Sequence, residues 1–166
     1  MKSIITIIVV QVAMSIFSQT VKQVTIKDFK PAFGEWQGNL TYIDYRSNQP
    51  YTMPAYCNIK ANNSNSQQLI IEIKYPNEPK ANGYDTITFS KDGQYIGKAK
   101  VMTKMQLPNS ILQIITEEKG IDGNDNKPAI LKHTYLIGKS IYSNTKDVKF
   151  DGTSVWLKRN EYSFNR

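Results

Sequence analysis

Cysteine and histidine are almost absent from this chain of 166 residues, which contains one of each, Cys57 and His133. A single cysteine excludes an internal disulfide, so the fold has to depend on its hydrophobic core. Cys57 itself is expected to be a small buried apolar residue. A zinc site usually takes three or four ligands, which here would have to be completed by carboxylates. We therefore expect no metal site and no cofactor.

Runs of basic residues are also missing, although the formal net charge is +7. The lysines stand singly, for example at Lys60, Lys74 and Lys98, and this spacing does not follow a phosphate backbone. Nucleic acid is therefore not an expected partner. A spread basic surface instead favours solubility and a weak attraction to anionic envelope surfaces.

Long apolar runs are missing except at the N-terminus, where residues 4–12 are apolar apart from one threonine and one glutamine. The preceding Lys2, the short apolar run and the small residues near Ser18 are typical of an export signal. The run is too short for a membrane span of about 20 residues. We expect residues 1–18 to be a cleaved signal peptide and Gln19 to be the mature N-terminus. This predicts a secreted or periplasmic protein without a transmembrane segment.

The mature part has the size of one domain, because removal of 18 residues from 166 leaves 148. Residues 19–32 form a polar lead with a short helical turn around Asp28 that is expected to end at Pro31. Beyond it, helical periodicity is absent, and apolar and polar residues alternate in short runs. The predicted organisation is therefore a signal peptide, this lead segment, and one β domain at residues 33–166.

Strands are predicted wherever such alternating runs lie between turn residues. Residues 90–93, Ser-Lys-Asp-Gly, form the clearest hairpin, since an Asp-Gly pair accepts the positive φ angles of a tight turn. Consecutive antiparallel strands leave two exposed edges unless the sheet closes, so we expect an all-β, up-and-down antiparallel barrel of roughly 8 to 10 strands. A sandwich is the alternative, because it shows the same local alternation. The predicted strands are residues 34–46, 51–60, 67–75, 84–90, 94–105, 110–117, 129–137, 140–149 and 153–161.

Two short motifs at the ends of the β domain resemble those of a known family. Residues 33–36, Phe-Gly-Glu-Trp, open the first strand, and residues 156–159, Trp-Leu-Lys-Arg, lie in the last. This pairing resembles the calycin superfamily, the lipocalins and their relatives, and the chain is also similar to small exported bacterial proteins sharing its WQGNLTY and RNEYSFNR segments. The resemblance implies that Gly34 and Trp36 form the base of the barrel, with Arg159 over the indole as its cation–π partner.

A barrel of this size encloses either packed side chains or one small ligand. Trp36, Tyr42, Asp44 and Arg46 share one face of the first predicted strand, so they are expected to line the interior from the floor towards the rim. Aromatic walls would bury the apolar part of a ligand, while a carboxylate and a guanidinium would orient its polar group. Alternatively, the two charged residues lie at the rim and only solvate the strand end.

Three further candidates for the cavity wall come from other predicted strands: Tyr75, His133 and Tyr135. An imidazole with an open coordination position is sufficient to ligate haem, as in the nitrobindin-like barrels, so His133 could serve that purpose. The alternative, which we prefer, is a histidine satisfied within its strand. The expected partner is therefore a small apolar or amphipathic molecule.

No catalytic constellation is evident in the sequence. Glu117 and Glu118 are adjacent in a predicted strand, so their side chains point to opposite faces and do not form an acid–base pair. Asp122 and Asp125 fall in a polar stretch that we interpret as a solvated turn, since it lacks the later bidentate glutamate of a calcium loop. Nucleophile elbows and phosphate loops are also missing.

The function expected from these observations is non-enzymatic: a lipocalin-like protein that binds a small, partly apolar ligand in its barrel. The main alternative is a barrel with a filled core whose outer surface contacts an envelope partner, through an exposed aromatic patch that includes Tyr45, Tyr51 or Tyr162. A haem-binding or enzymatic barrel is less favoured. The sequence does not indicate the oligomeric state.

Overall fold

A computed structural model describes residues 23–166, and the predicted signal peptide and cleavage point lie outside the described residues. The described chain forms one antiparallel sheet and three short 3-10 helices, Ile26–Ala32, Pro79–Ala81 and Pro108–Ser110. The strands are β1 (Gly34–Ile43), β2 (Pro50–Ala61), β3 (Gln68–Lys74), β4 (Gly83–Thr88), β5 (Tyr95–Ile96), β6 (Ala99–Leu107), β7 (Ile111–Asp122), β8 (Lys127–Ile137), β9 (Ile141–Phe150) and β10 (Leu157–Asn165).

The sheet closes almost completely into an up-and-down barrel, which confirms the predicted fold class. Its spatial order is β4-β3-β2-β1-β10-β9-β8-β7-β6-β5, so every neighbour in space is a neighbour in sequence except at the pairing of β1 with β10. A bridge between Phe89 and Ile96 joins the two outer strands. The N–H of Gly97 also donates to the carbonyl of Thr88 at 2.7 Å. The two edges that an open sheet would expose are therefore joined at this point.

The pairing of the first and last strands depends on a glycine. Gln37 to Tyr42 on β1 face Asn165 to Asn160 on β10 in continuous antiparallel register. A Cβ atom at Gly38 would lie 1.9 Å from the carbonyl oxygen of Ser163, so a side chain at this position would force the two strands apart. The absence of a side chain is thus what lets β10 approach β1 closely enough to close the barrel.

Several predicted segments differ from the structure. The last strand, predicted at residues 153–161, runs over Leu157–Asn165. The predicted strand 94–105 is two strands, because Gly97 takes a positive φ of 60° and turns the chain back. The predicted loop around residues 120–127 is reduced to a four-residue turn, because β7 runs to Asp122 and β8 begins at Lys127; the turn uses positive φ angles at Gly123 and Asn126. The 3-10 helix near Asp28 continues through Pro31 to Ala32.

This 3-10 helix covers one end of the barrel, which we call the closed end; the opposite end is called the far end. The N–H of Thr25 donates to the Asp28 carboxylate at 2.8 Å, which caps the helix, and Lys104 on β6 pairs with the same carboxylate at 2.7 Å. Phe29 is fully buried and packs its ring against Phe89 and Tyr135, at 5.2 and 5.7 Å between centroids. The helix therefore acts as a plug whose apolar face completes the core.

Trp36 lies next to this plug, and we call the layer of aromatic rings around it the floor. Its side chain is 1% exposed, and its indole N–H donates to the carbonyl of Ala32 at 2.7 Å. Gly34 precedes it at a φ of 104°, a conformation that favours glycine. Tyr142 on β9 packs against the indole at 6.3 Å between centroids. The aromatic floor thus joins the plug to strands β1 and β9.

The guanidinium over Trp36 belongs to Arg166, and the expectation that Arg159 occupies this place is wrong. Arg166 Cζ lies 4.1 Å from the centroid of the indole ring. Because β1 and β10 are antiparallel, the residues beside the start of β1 come from the end of β10, whereas Arg159 lies near the start of β10. Arg166 also donates at 2.7 Å to the carbonyls of Phe33 and Pro31, so it fastens the lead segment to the floor.

No helix within residues 23–166 is both long enough and apolar enough to cross a membrane.

Candidate functional site

Three polar side chains lie next to one another on the inner wall of the barrel. They are Thr116 on β7, His133 on β8 and Asn144 on β9, and together we call them the inner polar patch. Thr116 and His133 are paired across β7 and β8, and His133 Nδ1 lies 3.2 Å from Asn144 Oδ1. Thr116 shares its strand face with the fully buried Ile114, and His133 shares its face with the buried Tyr135, so both point inwards.

The hydroxyl of Thr116 is the unusual member of this patch. The residue is 0% exposed, and its Oγ1 has no hydrogen-bond partner among residues 23–166. Most buried polar side-chain atoms in native proteins have a partner, and leaving one unsatisfied costs about 1–3 kcal/mol. A valine would fill the same space without this cost. The hydroxyl therefore calls for an explanation other than packing.

His133 presents a neutral imidazole to the patch. Burial has the largest effect and lowers its pKa. The hydrogen bond with Asn144 opposes this, the Lys146 charge lowers the pKa further, and Glu118 and Asp147 raise it to a smaller extent. When Nδ1–H donates to the Asn144 amide oxygen, Nε2 is left as an acceptor. The patch thus combines a hydroxyl, an amide and a neutral imidazole without a formal charge.

Tyrosine side chains also point into the barrel interior. The Tyr135 ring stacks on His133 at 6.2 Å between centroids. The hydroxyls of Tyr75 on β3 and Tyr162 on β10 lie 2.6 Å apart, although β2 and β1 separate these strands in the sheet, so this hydrogen bond spans the interior. Burial raises the pKa values of Tyr135 and Tyr162, which keeps both phenols protonated.

Of the residues expected to line the cavity, Tyr75, His133 and Tyr135 all point inwards. Tyr135 contacts His133, whereas Tyr75 contacts Tyr162. Tyr42 lies half-buried near the far end, where its ring packs against Tyr51 at 5.5 Å between centroids. Trp36 lies deeper, in the floor. The first strand therefore contributes less to the patch than the later strands do.

The expectation that Asp44 and Arg46 line the interior is wrong. Strand β1 ends at Ile43, because the Asp44 carboxylate accepts hydrogen bonds from the N–H groups of Arg46 and Ser47 and from the Ser47 hydroxyl at 2.7 Å. These bonds, led by that of the Ser47 side chain, lower the pKa of Asp44. Arg46 is exposed. Both residues form the turn after β1, which agrees with the alternative that they lie at the rim of the barrel.

A buried ion cluster lies at the far end, where the sequence predicted a solvated turn. Asp122 is 6% exposed, and its carboxylate contacts Lys146 Nζ and Arg159 Nε, each at 2.8 Å, and the Tyr45 hydroxyl at 3.1 Å. Burial alone would raise the pKa of Asp122, but the hydrogen bonds and charges of these partners bring it below its ordinary value. The interpretation of Asp122 as a solvated residue is therefore wrong.

The ion cluster fastens the turn after β1 to strands β7, β9 and β10. The Arg159 guanidinium lies over the rings of Tyr45 and Phe150, at 4.9 and 5.5 Å from their centroids. An open cleft of about 780 Å³ borders the cluster, with Tyr45, Lys127, Phe150 and Arg159 among its lining residues. Since each charge of the cluster already has a partner, we assign it a structural role.

Reactive groups elsewhere in the described chain do not form a second site of this kind. Cys57 is 4% exposed, and burial raises the pKa of its thiol to about 12, so little nucleophilic thiolate forms near neutral pH. Within residues 23–166, no three His, Cys, Asp or Glu side chains lie close enough together to hold a metal ion. Among the described residues, the inner polar patch is therefore the strongest candidate for a binding site. The chain matches no protein-family model and no curated protein.

Proposed function

We propose that this protein is a lipocalin-like binding protein that holds one small, partly apolar molecule against the inner polar patch. The observation that carries the proposal is the Thr116 hydroxyl, which is fully buried and has no partner within the described chain. A ligand with one hydrogen-bonding group would satisfy this hydroxyl. Folding alone would be served better by an apolar side chain at the same position.

The chemistry of the wall defines the class of ligand. Thr116, His133 and Asn144 offer donors and acceptors without a formal charge, which suits an uncharged hydroxyl, carbonyl or amide group better than a strongly ionic one. Tyr75, Tyr135 and the other aromatic residues offer flat apolar surface for the rest of the molecule. The ligand is therefore amphipathic, with its polar group at the patch and its apolar body against the tyrosines.

The plug restricts ligand entry to one end of the barrel. Phe29 and Trp36 fill the closed end, and Arg166 fastens the plug to the strands, so a ligand enters and leaves from the far half of the barrel. Affinity then depends on the apolar area buried and on a small number of directional hydrogen bonds.

The proposal predicts opposite effects of Thr116→Val on stability and on binding. Valine removes the unsatisfied hydroxyl at nearly constant shape, so the free energy of unfolding of the free protein should rise by about 1–2 kcal/mol in urea titrations. Loss of one hydrogen bond to a ligand should weaken binding by about tenfold. Thr134→Val is the matched control, because Thr134 is the next residue to His133 on β8 and points to the outer face. A destabilised Thr116→Val variant would show that the hydroxyl is satisfied by the fold itself.

Uptake of a probe tests the same proposal without knowledge of the natural ligand. 2-Naphthol, a fluorescent dye, and 1-octanol both combine an apolar body with one uncharged hydroxyl group. In a Trp156→Phe variant, the buried Trp36 is the remaining tryptophan and reports on the interior. We expect one equivalent of at least one probe to bind and to quench this emission. Failure of both probes to bind at millimolar concentration would contradict the proposal.

A filled barrel with an outer partner is the second candidate. Tyr45 and Tyr51 are 45% and 47% exposed near the far end, whereas Tyr162 points into the interior. Two of the three tyrosines suggested for an outer aromatic patch are therefore accessible. If this candidate is correct, Thr116→Val should leave every binding activity unchanged.

A further inference from the structure

A polar groove lies on the outer face of the barrel, on the opposite side of the sheet from the core. It has a volume of about 330 Å³ and runs across β1, β2 and β3. This volume is at the lower end of the range for small-ligand sites, about 300–1,000 Å³. Its polar walls are formed by the outward-pointing side chains of Glu35, Gln37, Tyr56, Asn58, Glu72 and Lys74.

Strand register arranges these groups in two parallel rows. Glu35, Asn58, Glu72 and Tyr84 are successive cross-strand partners on β1, β2, β3 and β4. Gln37, Tyr56 and Lys74 form the second row in the same way. Neighbouring strands lie about 4.8 Å apart, so the rows present closely spaced donors and acceptors on a rigid surface.

Two tyrosine rings in this arrangement are open to solvent. Tyr56 is 42% exposed and Tyr84 is 72% exposed. The Tyr84 hydroxyl lies 3.5 Å from a Glu72 carboxylate oxygen, and Lys74 pairs with the same carboxylate at 3.0 Å. Because this ion pair cancels one negative charge, the groove carries little net charge despite its polar walls.

We infer that this groove binds an uncharged saccharide. A sugar ring has an apolar C–H face, which stacks on an exposed phenol ring, and an edge of hydroxyl groups. Those hydroxyls can donate to the carboxylate of Glu35 and accept from the side-chain amides of Gln37 and Asn58. The carboxylates would repel an anionic ligand, and a purely apolar ligand would leave the amides without hydrogen-bond partners. The row arrangement suits a short oligosaccharide that passes from Tyr56 towards Tyr84.

Titration with soluble oligosaccharides tests this inference. The probes are cellohexaose, maltohexaose and chitohexaose, with binding followed by NMR chemical-shift changes of backbone amides. We expect at least one probe to bind and to shift the amides of β1, β2 and β3. Tyr56→Ala should weaken that binding by about tenfold or more, as expected for loss of an aromatic anchor.

Tyr95→Ala is the matched control, because Tyr95 on β5 is a 39% exposed tyrosine outside the groove. This variant should bind the oligosaccharide like the unchanged protein. Absence of binding by all three probes at millimolar concentration, or equal binding by the Tyr56→Ala variant, would overturn the inference. Thr116→Val should leave oligosaccharide binding intact, so this test is independent of the ligand proposed for the barrel interior.

Discussion

Replacing Trp36 with alanine should lower the free energy of unfolding by about 3–5 kcal/mol, a large part of the 5–15 kcal/mol that usually stabilises a domain. The indole is 1% exposed, and it contacts the plug through the carbonyl of Ala32 and strand β9 through Tyr142. Its removal would leave a cavity where these parts meet. The Ala32 carbonyl would also lose its donor inside the core.

Urea unfolding followed by circular dichroism measures this loss. Trp156→Ala is the matched control, because Trp156 is half-buried on the outer face, where Lys132 and Lys149 cover its ring at 4.2 and 4.9 Å. We expect that variant to lose much less stability. The fluorescence emission of Trp36 reports on the floor. This emission should change more in Arg166→Ala than in Arg159→Ala, because Arg166 lies over the indole. Equal stabilities of the two tryptophan variants would contradict the described floor.

Replacing Asp122 with alanine should cost about 3–5 kcal/mol, since breaking a buried ion pair leaves uncompensated charge inside the protein. Lys146 and Arg159 are only 22% and 12% exposed at their side chains, and both would lose their anionic partner. The Tyr45 hydroxyl would lose its acceptor, and the turn after β1 would be released. Urea unfolding at neutral pH measures this cost.

The same carboxylate should make the stability of the protein sensitive to acid. The pKa of Asp122 is lower in the folded state than the unfolded value of about 3.9. Its contribution is therefore fully present above about pH 4 and is lost as the pH falls through the folded-state pKa. Asp122→Asn should remove this part of the acid dependence, whereas Asp151→Asn, an exposed turn residue, should keep it. Parallel stability curves for the Asp122→Asn variant and the unchanged protein below pH 4 would contradict the ion cluster.

The strand pattern could be predicted from the sequence because alternation is a local property. Each strand that is buried on one face has to repeat its apolar side chains every second residue, as in Leu69, Ile71 and Ile73. Barrel closure followed from the need to satisfy both sheet edges. Turn residues were harder to predict. Asp44 lies in a turn and not in the predicted strand because its carboxylate accepts hydrogen bonds from the next few residues.

Side-chain partners at the barrel ends could not be predicted in the same way. Whether Arg159 or Arg166 covers Trp36 depends on how far β10 extends past β1, and local pattern does not define that register. Asp122 lies on the same inward face of β7 as Ile114 and Thr116. Its burial would have been predictable from alternation if the predicted strand had extended to residue 122. The unsatisfied Thr116 hydroxyl has no sequence signature, because a threonine on a strand is ordinary until its partners are known.

NMR of the Thr116 methyl group during titration with the 2-naphthol dye tests the role of the inner polar patch most directly. We predict that this resonance shifts to completion at one equivalent of dye and shows nuclear Overhauser contacts to the bound aromatic protons. A Thr116 methyl resonance that stays unchanged at saturating dye would contradict the account, because the ligand would then lie outside the inner wall.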